Sequence, residues 1–366
     1  MNRCTGFTKL RLVKPYDGSG DMVPPPSASS NKRSGIFGAL TIVLSLACLA
    51  WALHGVSWSE LWEDIRDLDW RWVAVACVAD VAVYVIQGWR WSLLLRPVGA
   101  ASLGSSVRAI FVGLFASEVF PLRAGELIRC FLQARWTEIP VSVTLASALI
   151  ERIFDGLILI VGLFFSIDYV RHLPLNHGQA RAIGILADGS IFLTVLIVLC
   201  AALLAVAMFW RQQALEMLLN APMFSWVHVM IEDLHLIGHS RYLYFSALVS
   251  VLYLLMQVVP IYALMQAYEL DEASWARAAA LMVLLRLGSV APQAPGNVGL
   301  FQVISTLGLT LFGVQQAEAR RFTLLLWGVI TLPLLFAGFV AVVVTGAKIV
   351  DIHREARAEM RARSKN

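Results

Sequence analysis

The sequence is poor in charge. Of its 366 residues only 15% are Asp, Glu, Lys or Arg, while 58% are hydrophobic. Soluble domains carry about 25% charged and about 45–50% apolar residues. The balance argues against a soluble enzyme and against a disordered chain. Cysteine is scarce as well: Cys4, Cys48, Cys77, Cys130 and Cys200 form no CxxC and no other metal-like spacing. They read as small buried apolar residues rather than a disulfide framework. There is no GxxxxGK[ST] and no GxGxxG, which rules out transport driven by the chain's own ATP hydrolysis. A nucleophile elbow is also missing. The net charge of +4 is too modest to suggest a nucleic-acid partner. No cofactor and no metal are expected.

What the sequence does have is long apolar runs, at a mean hydropathy of +0.71. A helix crosses a bilayer in roughly 20 apolar residues. Six runs of that kind lie at 36–53, 72–87, 142–167, 184–210, 243–268 and 322–345. Residues 1–35 are polar and basic, with Pro24-Pro25-Pro26-Ser27-Ala28-Ser29-Ser30 unable to hold a helix. They read as a flexible basic tail, 36–346 as one transmembrane domain, and 347–366 as a charged tail. The run 36–53 reads as a retained first span rather than a cleaved signal peptide.

Charge sets the orientation. Cytoplasmic loops are enriched in Lys and Arg. The two basic tails and the 88–108 connection, with Arg90, Arg96 and Arg108, are expected inside. The acidic 54–71 loop and Glu269-Leu270-Asp271-Glu272 are expected outside. The expected place is the bacterial inner membrane, with both termini cytoplasmic.

Two regions, 107–135 and 276–313, are apolar arms broken by a knot of Pro and Gly. The arms are roughly 11–16 residues, too short to cross alone. Short arms with a central break read as re-entrant hairpins, with four short tilted spans as the alternative. The knots align: Pro121 matches Pro292 and Gly125 matches Gly296, both at a spacing of 171, and Glu126 then matches Asn297. Pro295 lies in the second knot beside Gly296. The charge-derived topology brings the first hairpin in from the cytoplasm and the second from outside. The expected fold is therefore an all-α polytopic membrane protein, with six full helices and two hairpins related as an inverted repeat. The site of such a fold lies where the broken helices meet.

Ionisable residues at membrane depth cost roughly 2.5–3.5 kcal/mol each on insertion scales. This chain has two clusters of them. Arg123, Glu126 and Arg129 surround the first knot; Glu126 and Arg129 are i,i+3 and share a helix face. Arg123 lies in the break itself, beside open backbone N–H groups. An arginine there is suited to phosphate. Glu151, Arg152 and Asp155 lie about ten residues into the 142–167 run, with the two acids i,i+4 on one face. The two clusters are expected to face each other across the bundle. Arg286, in the second hairpin, is a third candidate, and Asn297 and Gln302 can donate and accept at its knot. Glu118 is a weaker one. A static ion-pair network that fixes helix register is the competing account of these charges.

His228, Glu232, His235 and His239 have a spacing that can bind metal, but there is no HExxH. Phe224, Trp226, Val227 and Ile231 make an interfacial amphipathic helix the simpler reading.

Four elements in order carry a family resemblance. They are Trp89-Arg90-Trp91-Ser92-Leu93-Leu94-Leu95, Pro121-Leu122-Arg123-Ala124-Gly125-Glu126-Leu127-Ile128-Arg129, Glu151-Arg152-Ile153-Phe154-Asp155, and Pro295-Gly296-Asn297-Val298-Gly299-Leu300-Phe301-Gln302. They resemble the flippase-like membrane domain of the lysylphosphatidylglycerol synthase family, over roughly 36–346. The last knot departs from the family's P-G-G-x-G with a following acid, since Asn297 and Gln302 stand there. The resemblance implies lipid handling. In the full synthases this domain is thought to move an aminoacylated phospholipid between leaflets, and a separate soluble domain makes the lipid. The chain ends about twenty residues after its last span, so it looks like the stand-alone form. Stand-alone members are linked to hopanoid, polyprenyl-linked or archaeal glycolipid pathways, so the substrate does not transfer with the fold.

The expected function is a lipid translocase in the bilayer, with a membrane lipid as substrate and a lipid-synthesising enzyme as a possible partner. Arg123 and Arg129 would hold the head group. Glu126, Glu151 and Asp155 would balance charge. Two alternatives stand beside it: a membrane-embedded enzyme acting on a lipid head group with Glu151 or Glu126 as base, and a non-transporting scaffold of a lipid or glycan pathway.

Overall fold

The computed structural model describes residues 53–119, 125–172, 240–289 and 295–363, apart from 55, 100 and 272, together with Ala50 and scattered positions between 191 and 238. Every regular element among them is helical. The helices are α1 (Trp58–Asp67), α2 (Trp70–Leu95), α3 (Leu103–Val119), α4 (Gly125–Thr137), α5 (Val141–Arg171), α6 (Arg241–Met256), α7 (Val258–Ala267), α8 (Trp275–Gly288), α9 (Leu300–Leu311) and α10 (Gln316–Arg363). Four described segments are long and apolar enough to cross a membrane: Trp70–Leu95, Val141–Arg171, Arg241–Ala267 and Gln316–Gly346. The expected spans 36–53 and 184–210 lie largely outside the described residues, as do His228, Glu232, His235 and His239. The protein is a multi-pass, all-helical membrane protein.

Local chemistry sets the helix starts. Asp69 caps α2 by accepting from the Arg71 N–H at 2.9 Å. Ser240 accepts from the Tyr242 N–H at 3.2 Å, and Ser274 from the Arg277 N–H at 3.2 Å. The third span breaks at Gln257, between α6 and α7. Pro260 has no N–H to give the preceding turn, and its ring crowds that turn's carbonyl. The second span is longer than the 72–87 run: α2 continues to Leu95, so Arg90 lies inside it with 0% exposure. It was expected in an interfacial connection. The last helix likewise continues through the charged tail to Arg363.

The bundle has two ends. At one end, the Asp69 N–H donates to the Ala267 carbonyl at 3.1 Å, joining the start of α2 to the end of α7. Leu68, Val73, Val170, Leu264, Leu281, Leu309 and Phe322 form an apolar core there. Arg321 donates to Asp64 at 2.6 Å and also pairs with Glu60. The Tyr268 hydroxyl donates to the same Asp64 carboxylate at 2.6 Å. Burial and that carboxylate push the Tyr268 phenol up. At the other end, Trp91, Leu95, Ile110, Cys130, Ile139, Val143 and Leu243 form a second core. Arg96 and Arg241 lie over the Tyr242 ring at 5.5 and 5.4 Å, and Arg108 over Trp136 at 4.1 Å. One end is thus acidic and the other basic.

The two hairpins enter from opposite ends. The base of α3–α4 packs in the basic-end core, where Cys130 and Thr144 touch. The base of α8–α9 packs in the acidic-end core, with Ala278 and Phe312. Both hairpins lean on α5, α4 near Thr144 and α8 near Gly162, which faces Val283. Their tips meet: the Asn297 side-chain amide donates to Glu118 at 2.9 Å. The order α2, hairpin, α5 therefore repeats upside down as α6–α7, hairpin, α10, the arrangement of an inverted repeat. Glu118, Asn297 and Gly296 sit at the junction. Gly296, Asn297 and Gly299 carry it with φ of 74°, 53° and 96°. The Trp327 indole on α10 ties it down by donating to the Gly296 carbonyl at 2.8 Å.

Gly125, at the start of α4, touches α3 directly. A Cβ there would lie 1.7 Å from the Gly113 carbonyl oxygen and 2.3 Å from Ser117 Oγ. The nearer of the two is backbone and cannot swing aside. Gly125→Ala is expected to destabilise at the upper end of about 1–3 kcal/mol by overpacking. A fall in the monodisperse fraction and melting temperature of detergent-purified protein checks this.

Candidate functional site

Five charges of the two expected clusters, Glu126, Arg129, Glu151, Arg152 and Asp155, join Arg90 in one closed ring. Glu151 is 1% exposed; its Oε1 accepts from Arg90 Nε at 3.0 Å and its Oε2 from Arg129 Nη1 at 2.9 Å. Arg129 Nη2 lies 2.9 Å from Glu126 Oε2, and Arg152 pairs with the other Glu126 oxygen. Arg152 Nη1 is 4.0 Å from Asp155 Oδ2, and Asp155 pairs with Arg90. Three acids and three arginines thus alternate around the ring. It needs no other counter-ion. The two clusters do face each other, but α2 supplies a cation that the sequence reading left out: Arg90.

The inner arc of the ring is packed as a core. Arg90 lies over the Tyr253 ring at 4.6 Å and donates to Ser250 at 3.3 Å. Arg129 lies over Trp91 at 4.8 Å, and the Trp91 indole donates to Ser147 at 2.8 Å. The outer arc, Glu126 and Arg152, is 38% and 47% exposed.

That outer arc opens on a cavity of about 650 Å³ between the hairpin tips. Glu126, Arg152, Glu118, Asn297 and Arg286 line it, with Asp80 and Gln257. The expected residues therefore divide. Glu126, Arg152, Arg286 and Asn297 are on the cavity wall. Arg129, Glu151 and Asp155 belong to the ring behind it. Gln302, 2% exposed, holds the start of α9 by accepting from the Gly299 N–H at 2.6 Å. Gly125 and Pro295–Asn297 shape the two breaks. Pro121, Arg123 and Pro292 lie outside the described residues.

Arg286 is held without a carboxylate. Its Nε donates to Gln257 at 2.6 Å and its Nη2 to the Tyr253 hydroxyl at 2.7 Å. Both partners are neutral. Asp80 also faces the cavity, and nothing in the knot or cluster patterns drew attention to it. The signal that would have found it is an acid alone in the middle of an apolar run. Of the described cysteines, Cys130 is buried, Cys77 half-buried and Cys200 exposed, all free. Exposure of Cys200 differs from the buried place expected for it.

The cavity at the meeting point of the two hairpins thus presents charged, neutral polar and apolar side chains together. A family model described as "Lysylphosphatidylglycerol synthase TM region" matches residues 38–338. Glycosyltransferase AglD of Haloferax volcanii is 34% identical over 163 residues, 43% of this chain and 26% of that protein. A UPF0104 membrane protein of Methanocaldococcus jannaschii is 26% identical over 102 residues, 27% of this chain and 30% of its own length. The matches thus span 26–30% of the length of these relatives. No solved structure matches the chain.

Proposed function

This chain belongs to the family of the lysylphosphatidylglycerol synthase transmembrane region, and from that premise we propose that it is a lipid translocase, which moves a lipid with an anionic or modified head group between leaflets. The observation that carries the reading is the cavity of about 650 Å³ where two oppositely entering hairpins touch. Inverted repeats of broken helices place their sites there and move one half against the other around them. The head group would enter the charged cavity, and the acyl tails would stay in the bilayer. Arg286 and Arg152, with Arg123 from the first knot, would receive the phosphate. Glu126, Glu118 and Asn297 would contact what the head group carries beyond it. Arg129, Glu151 and Asp155 would hold the wall in place through the ring, and Gln302 the second knot. The basic end would face the cytoplasm by the positive-inside tendency, with both termini on that side of the bacterial inner membrane. An enzyme that makes the lipid would be its partner.

The test is leaflet exchange of head-group-labelled phospholipids in liposomes, read with a membrane-impermeant quencher. Wild type is expected to exchange. Ser289→Trp, which fills the cavity from the end of α8 without altering a charge, is expected to slow exchange severalfold at an unchanged melting temperature. Equal rates in the two proteins would remove the cavity from the path. The name of the Haloferax relative favours a second reading, a step on a glycolipid head group. A new lipid species in cells that make the protein, with no change in leaflet distribution, would support that instead.

A further inference from the structure

Asp80 is unlike every other acid of the site. It lies near the middle of α2, only 5% exposed, on the cavity wall. Its Oδ2 has no hydrogen-bond partner among the described residues. Each acid of the ring is matched by arginine. Glu118 accepts from Asn297. Asp80 has neither kind of support.

Its surroundings are few in charge. On its own helix it is within electrostatic reach of Cys77 and Tyr84. Tyr84 is in turn within reach of Tyr253 on α6, Arg286 on α8 and Glu118 on α3. Glu126 on α4 and Arg152 on α5 complete the titratable lining, and they bond to each other. From α7 and α10 the cavity receives Pro260, Ile261, Ile330 and Leu334. No cation pairs with Asp80 among the described residues.

A carboxylate that is ionised, buried and without donors is costly anywhere, and more so in a bilayer. The neutral acid costs far less. We propose that Asp80 is the proton-exchange site of this cavity, holding a proton while the cavity is closed and releasing it to water when either end opens. The O–H bond forms at the carboxyl with a proton from cavity water and breaks by returning it to water. Nothing is oxidised or reduced. If one carboxyl serves the cavity in both its inward- and outward-open forms, its proton count is tied to the change between them. That tie rests on the translocase reading, whereas proton binding by Asp80 does not.

Two measurements on the full-length protein separate the parts. Infrared spectra in nanodiscs, with aspartate carboxyl carbons isotope-labelled, compare wild type and Asp80→Asn at neutral pH. A protonated-carboxyl band present in wild type and missing from the variant is expected. Coincident spectra in that region would overturn the proposal. The isosteric change should leave the elution profile unaltered, and Asp80→Glu, which keeps the acid, should restore a protonated band. The second measurement is leaflet exchange in liposomes under an imposed pH gradient. Wild-type exchange is expected to change severalfold with the gradient, and Asp80→Asn exchange to ignore it. Wild-type exchange that proceeds at one rate whatever the gradient would sink the coupling. Exchange in neither protein would count against the translocase reading, and the infrared band would still decide on Asp80.

Discussion

Arg90→Ala is expected to cost about 3–5 kcal/mol of stability, because it strips a partner from the buried Glu151 and from the partly buried Asp155. Glu151 would keep Arg129 on its other oxygen, but Asp155 would be left with Arg152 at 4.0 Å. The lost stacking on Tyr253 adds to this. Arg90→Lys should recover little, since one ammonium cannot span Glu151 and Asp155 as the planar fork does. The decisive comparison is the double variant. Arg90→Met with Glu151→Gln removes a cation together with an acid, and should be milder than the additive sum of the two single changes. Melting temperature and monodispersity in detergent read all three. If the pair proves additive, the ring is not a coupled structural unit, and Arg129 regains standing as a ligand for the head group.

Much of this architecture is readable in the sequence, for a local reason. Glu126 and Arg129, or Glu151 and Asp155, share a face because they are three or four residues apart on one helix. Pro and Gly mark the breaks because helices end at them. The opposed entry of the hairpins follows from loop charge, which acts over short stretches of chain. What stays hidden depends on distant pairing. Arg90 is 61 residues from Glu151 and sits between two tryptophans, so it looks interfacial until α2 is seen to continue to Leu95. Once the ring exists, it explains more of the buried charge than substrate binding does. The static-network account, weighed against function in the sequence, therefore describes the inner arc: Arg90, Glu151 and Arg129. The cavity wall is another matter. Gln257 lines it because Pro260 breaks the helix at that point, and no motif spacing announces that. Asp80 escaped for the opposite reason. A lone acid makes no pattern.

Arg286 is where loss of function is expected without loss of fold. Its partners, Gln257 and the Tyr253 hydroxyl, are neutral, so removing the guanidinium strands no buried anion. The stability change of Arg286→Gln should therefore be small beside that of Arg90→Ala, although both residues are arginines inside the bundle. The functional change should be large. A cation in a membrane cavity whose hydrogen-bond partners are all neutral is expensive unless something anionic visits it. A charge-assisted hydrogen bond contributes about 1.5–3 kcal/mol, so losing one from the bound head group should slow exchange of an anionic phospholipid about 10- to 100-fold. Arg286→Lys keeps the charge but loses the fork, and should fall between the two. A lipid with no phosphate should be moved equally by all three proteins, which turns the comparison into a test of recognition rather than of general damage. If Arg286→Gln exchanges anionic lipid at the wild-type rate while retaining its melting temperature, the phosphate is received elsewhere. Arg152 on α5 is then the residue to substitute, because it is the other described arginine on the cavity wall.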